Sequence, residues 1–243
     1  MCDVSIIIAT KNEQKYIDDT LNHLNISMSE AEKLGISTEL IIVDSSDDNT
    51  PDIARKFTEK VHSLAPQGVS KARNYGATLS KGRVLVFIDA DTIVQKNTLI
   101  DIFNAFQNES IISVIAYVLP TRRYELPSSA RIFYIIDEMF IKACGIAPLL
   151  IRFYNRGDIV AIRKTIFDEL KGFNESLYMM EITDLLDNAS KHGRIKVLCS
   201  PVFESSRRLK KWGVVKSYKI WWKNYFTFYL LKRLHEANYE AIR

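Results

Sequence analysis

"GRVLVFIDADTIV", Gly82 to Val94, decides how the rest of the chain is read. Val84 to Ile88 are consecutive apolar residues, and such a short run fits a strand buried on both faces of a sheet. The run ends on Asp89, and Asp91 follows after a single alanine. Two carboxylates beside a core strand resist burial and repel each other. At ~4 Å that repulsion is about 4 kcal/mol for an effective dielectric of 20, and a divalent cation turns it into a bridge. Asp-Ala-Asp leaving a strand end puts alternate side chains on one side, offering two hard oxygen ligands to Mg²⁺ or Mn²⁺. The same letters also fit an aspartate capping the next helix beside a solvated neighbour. The pair alone does not choose between these readings.

Working outward, strand and helix patterns alternate. "VSIIIAT" (Val4 to Thr10) is an unbroken apolar run, followed by Ile17, Leu21, Leu24 and Met28 at helical spacing. "ELIIVD" (Glu39 to Asp44) reads as the second strand, and "DDNTPDIARKF" as a helix capped by Thr50 with Pro51 in its first turn. "VHSLA" is a short third strand, and "VSKARNYGATLSKG" a helix closed by Gly82. After the opening stretch come a helix from about Asn97 to Phe106 and one strand, "IISVIAYVL". This alternation predicts an α/β fold, a doubly wound, mostly parallel sheet flanked by helices. Further on, 128–153 reads as one helix or two, "GDIVAIRK" and "RIKVLC" as strands, and Glu181 to His192 as a helix. Trp212 to about Glu236 reads as a long helix, aromatic and basic. The division expected is one domain over 1–205, in halves 1–120 and 121–205, with a C-terminal arm over 206–243.

Composition narrows the class. The chain has 243 residues, 47% hydrophobic and 26% charged, enough for one substantial core. Its net charge is only +4, yet from Ser206 onward ten Lys or Arg face two Glu. The arm is therefore basic and the remainder slightly acidic, which places the arm near anions. Cys2, Cys144 and Cys199 are scattered without a CxxC pair, so neither a disulfide framework nor a zinc site is expected. No basic-then-apolar leader precedes Val4 and no run reaches the ~18 apolar residues of a spanning helix, so a cytoplasmic protein is expected.

In an open parallel sheet, ligands bind at the carboxyl ends of the strands, where successive connections diverge. Three such ends carry polar groups here: "ATKNE", Asp44 and Asp89. They argue for one shared cleft. Neither a GxGxxG after the first strand nor a GxxxxGK[ST] is present, which removes the Rossmann and P-loop phosphate cradles. Lys11 and Glu13 read as loop residues.

"VSIIIATKNE", "LIIVDSSDDNT", "GVSKARNYGATLSKG" and "VLVFIDADT" occur in this order and spacing, and together they resemble the nucleotide-sugar-binding half of family 2 glycosyltransferases. The resemblance covers about Val4 to Leu119 and implies the GT-A fold. It implies that Ala9, Thr10 and Asn12 line the nucleotide pocket, that Asp44 contacts the base and that Arg73 reaches the base or diphosphate. It also implies that Asp89 lies near the ribose and that Asp91 is the main ligand of a Mn²⁺ or Mg²⁺ ion. The residues agree: a strand-end carboxylate accepts N–H bonds from a base, and guanidinium matches phosphate geometry. The bland alternatives are a helix cap or a turn for Asp44 and a surface ion pair for Arg73.

In the second half, "GDIVAIRKTIFDELKGFNE" is similar to the family's acceptor-side segment, with Gly157 allowing close approach. The family's catalytic base usually comes from an EDxDL motif. The corresponding stretch is "EITDL", Glu181 to Leu185, with Ile182 where the second acidic residue is expected. Glu181 and Asp184 remain candidates because residues three apart share a helix face. Acidic residues in a helix's first turn are equally explained by the helix dipole. In the arm, Trp221, Trp222, Tyr225, Phe226, Phe228 and Tyr229 interleave with Lys216, Lys219, Lys223, Lys232 and Arg233. That mixture suits an anionic membrane surface, packing on the domain or a dimer interface, with stacked nucleic acid as a fourth option.

The resulting expectation is a metal-dependent inverting glycosyltransferase using a nucleotide-diphosphate sugar. Its acceptor would be a polyprenyl phosphate, another lipid-linked chain or a saccharide, with peripheral contact at the cytoplasmic membrane face and no nucleic acid partner. The alternative is a nucleotide-sugar-binding or partner protein of the same fold without turnover, which Ile182 favours.

Overall fold

The computed structural model describes residues 2–121, 128–146, 150, 157–177, 179–205 and 207–231. Ten strands and eight helices follow one another among these residues. The central sheet begins with β1 (Val4–Thr10), β2 (Thr38–Asp44), β3 (Val61–Ser63) and β4 (Val84–Ile88). It is completed by β6 (Ile111–Ile115), β8 (Ile159–Arg163) and β9 (Arg194–Val197), in spatial order β3-β2-β1-β4-β8-β6-β9. β1 to β4 run parallel, β8 is antiparallel to both neighbours, and β9 is parallel to β6. The sheet is mostly parallel, as the alternation of elements predicts.

β1 shows why its sequence reads as an unbroken apolar run. Ile6 and Ile8 point into a core shared with α1 (Ile17–Lys33) and α4 (Thr98–Ala105). Ile7 points the other way, into a core with α3 (Val69–Leu79) and α7 (Glu181–Ala189). With helices on both faces there is no wet side for a polar residue to occupy. Close approach is enforced at Gly76, where a Cβ would sit 2.5 Å from Ile7 Cγ2, so α3 lies directly on the sheet.

Four local expectations are corrected. Helix α3 ends at Leu79 with Ser80 extended, so Gly82 does not close it. Gly82 instead packs on β1, where a Cβ would lie 2.5 Å from the Ser5 nitrogen. Thr50 is the first residue of α2 (Thr50–Ala54) rather than its cap; its N–H donates to Asp48 Oδ1 at 3.0 Å. "IISVIAYVL" divides, because β7 (Val118–Pro120) leaves the central sheet for a small one with β10 (Val202–Glu204) and β5 (Thr92–Ile93). Finally, helix α8 (Arg207–Leu231) starts before Trp212 and carries a break at Gly213, whose φ of 73° no helix contains.

Within 128–153 the described helix is α5 (Ser128–Ile146). The remaining helix, α6 (Lys164–Glu169), follows β8 directly. In the arm, the side chains of Trp221, Trp222, Tyr225 and Tyr229, and all of 232–243, lie outside the described residues.

Candidate active site

The chain crosses the sheet between β3 and β4, so β1 lies where successive connections turn in opposite directions. A crevice at the carboxyl ends of β1 and β4 is the usual ligand position in such sheets. Thr10 ends β1, Asp44 ends β2 beside it in register, and Asp89 follows β4. Arg73, from α3, and Glu181, the first residue of α7, join Asp89 there.

The first part of the site is a stitched pair of loops. Asp44 Oδ1 accepts from the Thr10 hydroxyl at 2.6 Å and the Ser46 hydroxyl at 2.7 Å, while Oδ2 accepts from the Ser46 N–H at 3.1 Å. Asn12 adopts a left-handed conformation (φ 57°), which asparagine tolerates better than most residues. Its N–H donates to Ser46 Oγ at 2.7 Å and its side-chain oxygen accepts from the Asp47 N–H at 2.9 Å. The Glu13 N–H donates to the buried Thr50 hydroxyl at 2.9 Å. Ala9 lies beside this region, partly exposed. The loops after β1 and β2 therefore form one rim.

The second part is a buried cation between two acids. Arg73 is 3% exposed; its Nη2 donates to Asp89 Oδ1 at 2.6 Å and its Nη1 to Glu181 Oε1 at 2.7 Å. Its guanidinium also lies 5.4 Å from the centroid of the Phe173 ring. Burial works against the charge, but the Asp89 and Glu181 carboxylates outweigh it and raise the Arg73 pKa. Asp89 stays 30% exposed, so this cluster opens to the crevice on the Asp89 side. Its backbone N–H donates to the carbonyl of buried Asp158 at 3.0 Å, tying β4 to the start of β8.

The third part surrounds Asp91. Arg207, the first residue of α8, donates from Nη1 to Glu13 Oε2 at 2.6 Å and from Nη2 to Glu13 Oε1 at 2.8 Å. The same Nη2 lies 3.1 Å from Asp91 Oδ2, and the guanidinium sits 4.6 Å from the Tyr16 ring centroid. Among the described residues, no three His, Cys, Asp or Glu side chains converge to hold a metal ion. The donor chemistry nevertheless suits one: Mg²⁺-type sites commonly use one or two carboxylates and complete their shell with substrate phosphate and water.

Glu181 and Asp184 are separated. Glu181 belongs to the Arg73 cluster, while Asp184 lines a different cavity of about 310 Å³, together with Lys171, Phe173, Asn174 and Asn188. Burial, followed by the nearby Asp187 carboxylate, raises the Asp184 pKa, with Lys191 partly offsetting. Ile182 is core: it is 4% exposed, packs with Leu185 and Leu186, and would lie 3.0 Å from a Cβ at Gly157. An acidic side chain at 182 would be buried among apolar groups, so the departure from EDxDL is consistent with local packing.

Sequence reading missed Ser46, Asp158, Arg207 and the engagement of Glu13. Ser46 carried a usable signal, since a hydroxyl two residues past a strand-end Asp forms a local turn with it. Arg207 carried none, because it meets Glu13 only through the path of β10 and α8.

Residues 5–170 match the model of the family described as Glycosyl transferase family 2. The chain belongs to this family, and its fold is that of the GT-A glycosyltransferases. It is 31% identical over 108 residues to the poly(ribitol-phosphate) beta-N-acetylglucosaminyltransferase TarS of Staphylococcus aureus, covering 42% of this chain and 18% of TarS. The chain thus spans only a small part of that relative's length. The crystal structure of S. aureus TarS 1-349 in complex with UDP-GlcNAc superposes with a TM-score of 0.65 at 24% identity, over 84% of this chain and 59% of that one. The mannosyltransferase PcManGT from Pyrobaculum calidifontis, in complex with GDP-Man and Mn²⁺, gives a TM-score of 0.65 at 16% identity, over 98% and 65%.

Proposed function

We propose that this chain transfers a sugar from a nucleotide-diphosphate sugar to an acceptor, with inversion at the anomeric carbon and with help from a divalent cation at Asp91. The observation that carries the reading is the convergence of Thr10, Asp44, Arg73, Asp89 and Glu181 at the carboxyl ends of β1, β2 and β4. TarS with UDP-GlcNAc and PcManGT with GDP-Man are similar folds holding such donors.

In this reading the rim of Ala9, Thr10, Asn12 and Asp44 receives the nucleoside. Arg73, with Asp89, faces the ribose and diphosphate, and Glu181 or Asp184 takes or orients the acceptor hydroxyl proton as that oxygen attacks. A bound Mn²⁺ or Mg²⁺ would neutralise charge developing on the departing diphosphate. Asp91→Asn should abolish Mn²⁺-dependent stabilisation by nucleotide sugars in thermal melts, and Asp89→Asn should weaken it less. Unchanged Mn²⁺-dependent binding in Asp91→Asn would remove Asp91 from the cation's shell. Turnover separates this reading from the alternative favoured by Ile182: binding of donor without release of free nucleotide would make the chain a binding protein.

The acceptor is proposed to be lipid-linked, with the 206–243 arm resting on an anionic membrane. No helix among the described residues is long and apolar enough to cross one. Lys216, Lys219 and Lys223 of α8 are exposed, and so are Val215 and Phe226. On α5, Ile132, Ile135, Ile136 and Met139 form an exposed stripe at helical spacing. Interfacial lysines contribute about 1 kcal/mol each, an attraction that fades with salt. Lys216→Glu, Lys219→Glu and Lys223→Glu combined should therefore release the protein from anionic liposomes at low salt, with the melting temperature unchanged. Failure of the unmodified protein to sediment with such liposomes would point to packing instead.

A further inference from the structure

The Arg207 guanidinium occupies the middle of an acidic pair. One of its nitrogens, Nη2, touches an oxygen of Glu13 at 2.8 Å and an oxygen of Asp91 at 3.1 Å, so the two carboxylates flank a single atom. All three side chains are nearly enclosed: Arg207 is 10% exposed, Glu13 and Asp91 12% each. Two acids brought this close and largely out of water repel each other unless a positive charge lies between them. Arg207 supplies that charge, and it comes from a helix whose break at Gly213 follows within two turns.

We propose that Glu13 and Asp91 form one cation seat, that Arg207 fills it in the absence of metal, and that a divalent cation enters by displacing the guanidinium. This rests on Asp91 being a cation ligand and adds two residues: Glu13 as a second carboxylate of the seat, and Arg207 as its resident cation. Two carboxylate oxygens with open positions for water and phosphate match the hard-oxygen, partly hydrated shell preferred by Mg²⁺ and Mn²⁺. Arg207 has only to swing away, since the ion it meets brings the charge that the acids lose. The released guanidinium is planar and fork-shaped, suited to the phosphate oxygens that arrive with the metal.

Binding of Mn²⁺ alone, followed by electron paramagnetic resonance, tests this without nucleotide or sugar. A site blocked most of the time by an internal competitor binds weaker by the fraction of time it is open. Arg207→Gln should therefore bind Mn²⁺ about tenfold more tightly than the unmodified protein. Lys210→Gln, an exposed lysine on the same helix with the same change of charge, should shift it less than about twofold. Adding Glu13→Gln to Arg207→Gln should cancel the gain. If Arg207→Gln gains no more than Lys210→Gln, or the gain survives loss of Glu13, the shared seat is wrong. Should Arg207→Gln not fold, a Mg²⁺ titration of the unmodified protein decides, followed by the Arg207 Nε–Hε resonance assigned with Arg207→Lys. That resonance moves with metal if the exchange occurs and stays fixed if it does not. Failure of the transferase reading would appear elsewhere, as absent donor turnover, with the Mn²⁺ result unaffected.

Discussion

Arg73→Met is expected to lower the unfolding free energy by about 3 kcal/mol, among the largest losses any single substitution in this chain should cause. Methionine fills a similar volume and can set its thioether against the Phe173 ring in place of the guanidinium, so the loss reports the charge rather than a cavity. It leaves Asp89 and Glu181 facing each other without the cation between them, 30% and 13% exposed. Breaking a buried pair from one side costs about 3–5 kcal/mol, and the partial exposure of Asp89 argues for the lower end. In a domain of this size that corresponds to a fall of about 6–12 °C in melting temperature. Arg73→Lys should recover only part of it, because one ammonium cannot reach both acids with the spread of a guanidinium fork. A loss under about 1 kcal/mol for Arg73→Met would mean that water, not Arg73, balances the two carboxylates.

The fold was legible because burial on both faces leaves its mark in one dimension. Ile6, Ile7 and Ile8 serve two different cores, so β1 had to be apolar throughout. Pairing across distance was not legible. Nothing in the letters shows that β8 inserts antiparallel between β4 and β6, or that Val118 leaves the sheet of Ile115 for a partner in β10. Such choices depend on where the chain returns, not on local propensity.

The candidate site divides the same way. Thr10, Asp44 and Asp89 could be placed because strand ends are local and the sheet type says which ends matter. Arg73 and Glu181 meet across 108 positions, and only the family resemblance placed them in one cleft. From sequence Glu13 reads only as a loop residue, because its partner, Arg207, lies 194 positions away. Glu181 and Asp184, assigned to one helix face, prove to serve different surroundings: one turn of α7 separates an arginine-bound carboxylate from one in a cavity.

That separation makes the two carboxylates distinguishable by kinetics. Glu181→Gln should lower kcat about 10²–10⁴-fold with little change in donor affinity, the range expected for loss of a general base. The expectation follows from position, since Glu181 shares Arg73 with Asp89, the side on which this cluster opens to the crevice. Because Glu181→Gln also removes one of Arg73's partners, its melting temperature and nucleotide affinity must be measured beside kcat. A loss confined to kcat in a folded, donor-binding variant is chemistry; a parallel loss in affinity is misplacement of Arg73. Asp184→Asn should cost less than about tenfold, because its cavity is lined by Lys171, Phe173, Asn174 and Asn188 and not by Arg73, Asp89 or Glu181. The raised Asp184 pKa supplies an independent readout. If Asp184 were the base, kcat would fall as pH dropped through that pKa, and Asp184→Asn would erase the acid limb along with most of the rate. A limb that persists in Asp184→Asn and vanishes in Glu181→Gln assigns the proton to Glu181. The reverse moves the acceptor to the cavity beside Phe173, and near-native turnover in both variants means either that the acceptor needs no base, as a phosphate would not, or that another group supplies it.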